Sequence, residues 1–406
     1  MNPFQHIYQR YVDEAAFLWV LRDIALHQPH YSVDDLRELE ERIRRQLNGI
    51  MTAPEDAWLE CEEALVIGEA GEIFTAAVTA FRCGHGDKIN KVVEFLANGE
   101  EVVAGFSSAL DFLPDQLCHK WIKKFFTSKD LLHNRVALEA CLLRGEDPAG
   151  YLNKIVAREA SRADIPLFAS CLKVMGQFKR SDLCEIIDEA TKAEDPAICF
   201  NALRTQILIG NHNQLKKLAT YVMEGGEYQY EAIQLAFRLL PPIEARQWIS
   251  ALVANENNLK SAVMAMAVFG DPQVINWLLA QMEQPELAKV TAEAFATITG
   301  LDLDSEGLSQ DEPEMEIEFD EEEFIALDED EHLPYPNIDA LRQWWLTHGS
   351  CFVVGTRYFL GQEVNDIALR EQIAQGFQRR RHQAALELAL RNPTEALINT
   401  LSFNKT

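Results

Sequence analysis

The feature that most constrains this chain is a spacing. Turn-forming residues that close apolar helical segments recur at Gly84, Pro114, Gly145, Gly176, Gly210, Pro241, Gly270 and Gly300, in steps of 29 to 34 residues. A fixed step of this length is the mark of a repeat architecture. The segments before the markers include Val136-Ala137-Leu138-Glu139-Ala140-Cys141-Leu142-Leu143 and Ala262-Val263-Met264-Ala265-Met266-Ala267-Val268-Phe269. They are rich in Ala and Leu, contain no proline and are apolar around most of a helix, which describes a helix buried on several sides. More amphipathic stretches follow at 89–96, 117–125, 182–190, 214–222 and 274–282. Asp147-Pro148, Asp195-Pro196 and Asp271-Pro272 have the form of helix starts, with Asp as the N-cap and Pro in the first turn.

A buried helix, a short turn and a half-buried helix make up a HEAT-like unit. One such unit cannot bury its apolar face alone, so units of this kind stack. The expected fold is all-α: a HEAT-like α-solenoid of about eight helix pairs over residues 71–300. Residues 1–70 are expected to form an N-terminal helical cap, with Leu36, Leu39, Ile43 and Leu47 on one helix face. Arg22, Asp35, Glu38, Glu41, Arg42 and Arg45 are expected to supply its polar outer side. Residues 301–333 read as an acidic loop or extended segment, and residues 334–406 as a small, mostly helical C-terminal piece. In that piece 351–355 is a short strand candidate and 367–373 and 379–390 are helices. Trp344 and Trp345 are expected as packing anchors.

Charge enters the argument because it is unevenly placed. The chain has 64 acidic and 37 basic residues, a formal net charge of −27. Residues 302–331 contain 16 of the acids and no Lys or Arg, so more than half of the net charge sits there. Such a balance excludes a surface built to bind nucleic acid or an anionic membrane, and is compatible with a basic protein partner. A charge block of this kind is normally solvated. Yet Glu314-Met315-Glu316-Ile317-Glu318-Phe319 alternates acid and apolar at the strand period, and an extended peptide with that pattern can dock on an apolar surface with its carboxylates outward. The cluster Arg379, Arg380, Arg381 and His382 is expected to pair internally with the acidic block.

No chemistry of catalysis is visible. Asp302-Leu303-Asp304-Ser305-Glu306-Gly307 has the start of a calcium loop, but Pro313 stands where the bidentate Glu is needed. The eight cysteines form no CxxC pair, the ten histidines form no HExxH, and there is neither a GxSxG elbow nor a phosphate loop. A non-enzymatic protein without cofactor or metal is therefore expected. The opening residues lack the pattern of a signal peptide and no apolar run is long enough to span a membrane, so the expected compartment is a reducing cytoplasm.

Several stretches together carry a resemblance. They are Glu14-Ala15-Ala16-Phe17-Leu18-Trp19, Leu36-Arg37-Glu38-Leu39-Glu40-Glu41-Arg42-Ile43, Gly270-Asp271-Pro272, and Gly300-Leu301-Asp302-Leu303 after Glu293-Ala294-Phe295-Ala296-Thr297-Ile298-Thr299. Further along come Asp328-Glu329-Asp330-Glu331-His332-Leu333-Pro334-Tyr335-Pro336, Trp344-Trp345, Gly355-Thr356-Arg357-Tyr358 and Gln378-Arg379-Arg380-Arg381. In this order, over nearly the full length, the chain resembles a bacterial family of HEAT-like proteins whose genes accompany type VI secretion effector loci. The resemblance implies a cytoplasmic, non-catalytic protein that acts on a secreted effector, and it brings no catalytic residues. The leading expectation is an immunity protein that binds and blocks an antibacterial toxin, such as a nuclease with a basic groove. The alternative is an adaptor or chaperone that loads an effector onto the secretion spike. The residues expected to meet a basic partner are Asp311, Glu312, Glu314, Glu316, Glu318, Asp320, Glu321, Glu322 and Glu323.

Overall fold

The computed structural model describes residues 5–313 and 329–403. The chain is all-α: twenty-two α-helices, short 3-10 turns and one two-stranded hairpin make up the regular elements of the described residues. Contacts divide it into two compact units. One comprises residues 1–27, 31–210 and 375–406, and the other residues 28–30 and 211–374.

The first unit begins with α1 (Gln5–Ala25), α2 (Val33–Ile50), α3 (Pro54–Ile67), α4 (Ala70–Cys83), α5 (Gly86–Glu94), α6 (Glu100–Phe112) and α7 (Asp115–Phe126). It continues with α8 (Leu131–Arg144), α9 (Gly150–Val156), α10 (Glu159–Ala163), α11 (Ile165–Gln177), α12 (Cys184–Ala190) and α13 (Pro196–Leu208). The apolar helices pack in succession: α4 on α6, α6 on α8, α8 on α11 and α11 on α13. Each buries residues all round, as Phe74, Phe106, Leu138, Leu172 and Phe200 illustrate. The more polar helices lie beside them, α3 and α5 against α4, α7 against α8 and α12 against α13.

Local chemistry sets the ends. Ser32 and Asp35 form a reciprocal capping box on α2. Asp195 accepts the Ile198 N–H at 3.0 Å, so Asp195-Pro196 starts α13 as its sequence form suggests. Asp147-Pro148 does not start α9. That helix begins at Gly150, and the Asp147 carboxylate instead accepts the Ala149 N–H at 2.8 Å, with Ala149 at φ 49°. Gly176 is likewise not a turn but the penultimate residue of α11. It is kept small because a Cβ there would press on Thr205 and Leu208 of α13. The same reason governs Gly105 on α6, whose Cβ would overlap the Ala70 carbonyl oxygen of α4. The polar outer side expected of the N-terminal helices holds for α2, whose Asp35, Glu38, Glu41, Arg42 and Arg45 are exposed. Arg22 departs from it. The residue is 4% exposed, and its Nε donates to Glu40, itself fully buried, at 2.9 Å.

The second unit holds α14 (Leu218–Glu224), α15 (Gln229–Leu239), α16 (Pro242–Val253), α17 (Leu259–Phe269), α18 (Ile275–Gln281), α19 (Pro285–Thr299), α20 (Ile338–His348), β1 (Tyr358–Phe359), β2 (Gln362–Glu363) and α21 (Asp366–Gln375). Here α15 packs on α17 and α17 on α19, with α14, α16 and α18 alongside. The β1–β2 hairpin runs across the C-terminal ends of the three buried helices, where the last carbonyls lack helical partners. Arg357 donates to the carbonyls of Arg238, Val268 and Phe269, and the Tyr358 N–H reaches the Gly270 carbonyl at 2.9 Å. The N–H groups of Leu360 and Gly361 cap Thr297 and Ile298 at 2.6 and 3.1 Å. Leu360 has φ 49°, a costly conformation for a leucine, held here by those two caps. Gly270 and Gly300 end α17 and α19 in the left-handed region, and a side chain on either would overlap the hairpin backbone. The strand candidate at 351–355 is not a strand. A 3-10 turn covers Gly349–Cys351, and the Val353 N–H donates to the Tyr358 hydroxyl at 3.0 Å rather than to a ladder. Trp344 and Trp345 do anchor α20, with their rings 5.9 and 6.2 Å from that of Phe295.

The chain then returns to the first unit as α22 (Gln378–Arg391), which ends at Asn392-Pro393. The segment after it runs back across the C-terminal ends of the first unit's buried helices. The Leu397 N–H caps the Gln177 carbonyl at 2.8 Å, and Asn399 donates to the carbonyls of Leu142 and Leu143. The Phe403 N–H meets the Asp111 carboxylate at 2.8 Å. The Phe403 ring stacks on Phe74, with the Arg22 guanidinium 3.7 Å from its centre. Two cations finish the cover: Arg144 donates to the carbonyls of Leu110, Asp111 and Leu113, and Lys179 to those of Leu208 and Ala389. His382 fastens α22, its Nε2–H donating to the Leu26 carbonyl and its Nδ1 accepting from the Thr400 hydroxyl. Leu26 offers only an acceptor, so this tautomer follows.

Two outcomes are expected. Gly105→Ala forces α6 off α4 and costs about 1–3 kcal/mol in urea unfolding, whereas Gly86→Ala, with open space around it, leaves the midpoint unchanged. Burial pushes the His382 imidazole from 6.5 down to about 4, so between those values the unfolded chain binds the extra proton. The stabilisation is complete above 6.5 and fades as the pH falls towards 4. Melting temperatures across that window should therefore drop more steeply for the wild type than for His382→Gln.

Candidate functional site

The acidic segment leaves α19 at Gly300. Leu301 and Leu303 are buried and Asp302 and Asp304 exposed, so the first residues alternate inward and outward. Asp302 accepts the Ser305 N–H at 3.1 Å, and the Leu308 N–H closes the turn onto the Leu303 carbonyl at 2.7 Å. The carboxylate thus organises its own backbone, as Asp does in a turn.

The described residues on either side of 314–328 meet at one place. Ser309 and Pro336 form an antiparallel bridge, the Gln310 N–H donates to the Tyr335 carbonyl at 2.9 Å, and the Asn337 N–H to the Leu308 carbonyl at 2.8 Å. Leu333 is buried, and the Asn337 side chain caps α20 through the Ala340 N–H at 3.1 Å. The excursion is therefore closed at its base. Two lysines pin its feet: Lys289 of α19 contacts the Glu312 carboxylate at 2.5 Å and the Glu331 carbonyl at 3.1 Å, and Lys260 of α17 contacts Asp330 at 2.6 Å. Both lysines lie in the N-terminal parts of their helices, where the macrodipole also favours carboxylates.

Of the nine residues expected to meet a partner, Asp311 and Glu312 stand exposed beside this base. Glu314, Glu316, Glu318, Asp320, Glu321, Glu322 and Glu323 lie outside the described residues. Lys260 and Lys289 were not singled out by sequence reasoning. Their signal is faint: isolated cations at the heads of two successive apolar helices, in the repeat next to an acidic run.

Other groups with chemical potential are committed elsewhere. Asp115, Cys118 and His119 place one donor atom each within 4.8 Å of one another. Yet Asp115 holds the Arg144 guanidinium, His119 Nε2 meets Glu146 at 2.9 Å, and burial pushes the Cys118 thiol up to about 11. A metal ion would have to displace Arg144 and Glu146 and deprotonate Cys118, so this donor set does not fit one. Burial also pushes the thiols of Cys61 and Cys141 up to about 12, which leaves them as small apolar fillers. The cluster at 379–382 is not a uniform basic patch. Arg381 donates to Gln378, and His382 is neutral inside the first unit. No helix among the described residues is long and apolar enough to cross a membrane.

No protein-family model, curated protein or solved structure matches this chain.

The pinning is testable by amide exchange. Lys289→Met removes a charged contact to each foot, and the Gln310 and Asn337 amides should exchange about tenfold faster while those of α15 stay unchanged.

Proposed function

We propose that the chain is a non-enzymatic, cytoplasmic HEAT-like solenoid that binds a protein partner, and that it acts as an immunity protein against a type VI secretion toxin. The ordered motifs that resemble the family of type VI effector loci support the setting. The succession of buried helices flanked by more polar ones supports the repeat reading. The observation that carries the binding role is the closed, lysine-pinned base from which the acidic segment departs. A run of carboxylates tethered at both ends has a fixed origin, and ordering it against a partner costs less entropy than ordering a free tail. A toxin that cuts nucleic acid needs a basic groove for its substrate. A tethered run of carboxylates complements such a groove in charge and speeds the encounter through long-range attraction.

Co-expression with the cognate toxin tests this directly. Rescue of growth is the expected result, and restored secretion without rescue would assign the adaptor role instead. In binding kinetics, replacing Asp311, Glu312, Glu314, Glu316, Glu318, Asp320, Glu321, Glu322 and Glu323 by their amides should slow association at low salt by about tenfold or more and flatten its salt dependence. Unchanged kinetics would remove the acidic segment from the mechanism.

A further inference from the structure

A second feature lies in the first unit and owes nothing to the acidic segment. Between α7, the C-terminal part of α8 and the start of α9 opens a cleft of about 440 Å³, the size of a small-molecule site. Its floor is apolar: Ile122, Phe126, Cys141 and Pro148 are buried. One wall is a pair of aromatic rings, Phe126 and Tyr151, stacked with centroids 4.9 Å apart and planes within 9°.

The charges on the rim are not balanced. Each carboxylate there already has partners. Glu146 accepts from Arg144 Nε and faces His119 Nε2, both at 2.9 Å, while Asp147 accepts the Ala149 N–H at 2.8 Å and contacts Arg180 at 3.3 Å. The Lys123 and Lys154 ammoniums, by contrast, make no ion pair among the described residues. Lys154 lies over the Tyr151 ring, 5.7 Å from its centre. Both ammoniums line the cleft above its apolar floor, so an anion with an apolar body would meet charge and apolar surface together. The backbone adds a second feature. Ala149, on the rim, holds φ 49° and ψ −127°, a conformation that costs an alanine of order 1–3 kcal/mol and that tends to occur where a site is shaped.

We propose that this cleft binds a carboxylate with a flat apolar body. The body lies against the Phe126–Tyr151 wall, and the carboxylate is taken by Lys123 and Lys154, whose ammoniums donate charge-assisted hydrogen bonds to it. Two sources share that chemistry: a free aryl acid, or the C-terminal carboxylate of a peptide ending in an aromatic residue.

Titration calorimetry on the full chain separates them, with naphthalene-2-carboxylate and N-acetyl-Gly-Phe as probes, and 2-naphthalenemethanol and the peptide amide as their neutral counterparts. At least one carboxylate should bind about tenfold or more tightly than its neutral counterpart, and the tighter of the two names the source. The double variant Lys123→Gln/Lys154→Gln, both positions being exposed, should lose that preference without a change in melting temperature. Tyr151→Ala should weaken the carboxylate and the neutral compound alike. Absence of binding by both carboxylates, equal binding by the neutral compounds, or undiminished preference in the double variant would overturn the proposal.

Discussion

The exposed carbonyls at the C-terminal ends of the buried helices are the constraint on which both units depend. A helix buried on all sides still presents its last carbonyls, with a partial negative charge, at its end. When several such helices run side by side, those ends form a polar edge on an apolar core. Each unit covers that edge with a separate piece of chain. In one, the segment after α22 lays Leu397, Asn399 and Phe403 over α11, α8 and α6. In the other, the β1–β2 hairpin lays Arg357, Tyr358, Leu360 and Gly361 over α15, α17 and α19. These covers tie residues far apart in sequence to one edge.

The same constraint explains where the scarce cations went. Arg144, Lys179 and Arg357 each donate to two or more helix-terminal carbonyls, and Arg22 pairs with the buried Glu40. The chain has 64 acids to 37 bases, so the acids dominate the surface. The acidic segment is the extreme case, held at its feet by Lys260 and Lys289. Lys123 and Lys154 stand instead over an apolar cleft, and it is that placement which makes them informative.

Much of the helical layout is legible in the residues. Ala- and Leu-rich segments without proline became the buried helices, Asp195-Pro196 started α13, and Gly84, Gly145, Gly270 and Gly300 ended helices in the left-handed region. The misreadings share a cause. Gly176 signals a turn locally, but it is small because α13 crosses there. Arg22 signals a solvated face, but the aromatic ring of Phe403, far along the chain, covers it. Residues 351–355 have strand composition, but the Tyr358 hydroxyl takes the Val353 N–H and a 3-10 turn takes Cys351. In each case the deciding partner is distant in sequence, and local propensity carries no information about it.

The sequence by itself determined the helical class and the concentration of negative charge in residues 302–331, because periodicity and composition are local properties. Only the tertiary structure decided that this segment returns to its starting point, that Lys260 and Lys289 hold it there, and that two uncommitted lysines share a cleft with stacked rings. Those facts depend on which helix ends and faces meet, and packing settles that through contacts between residues separated by dozens to hundreds of positions.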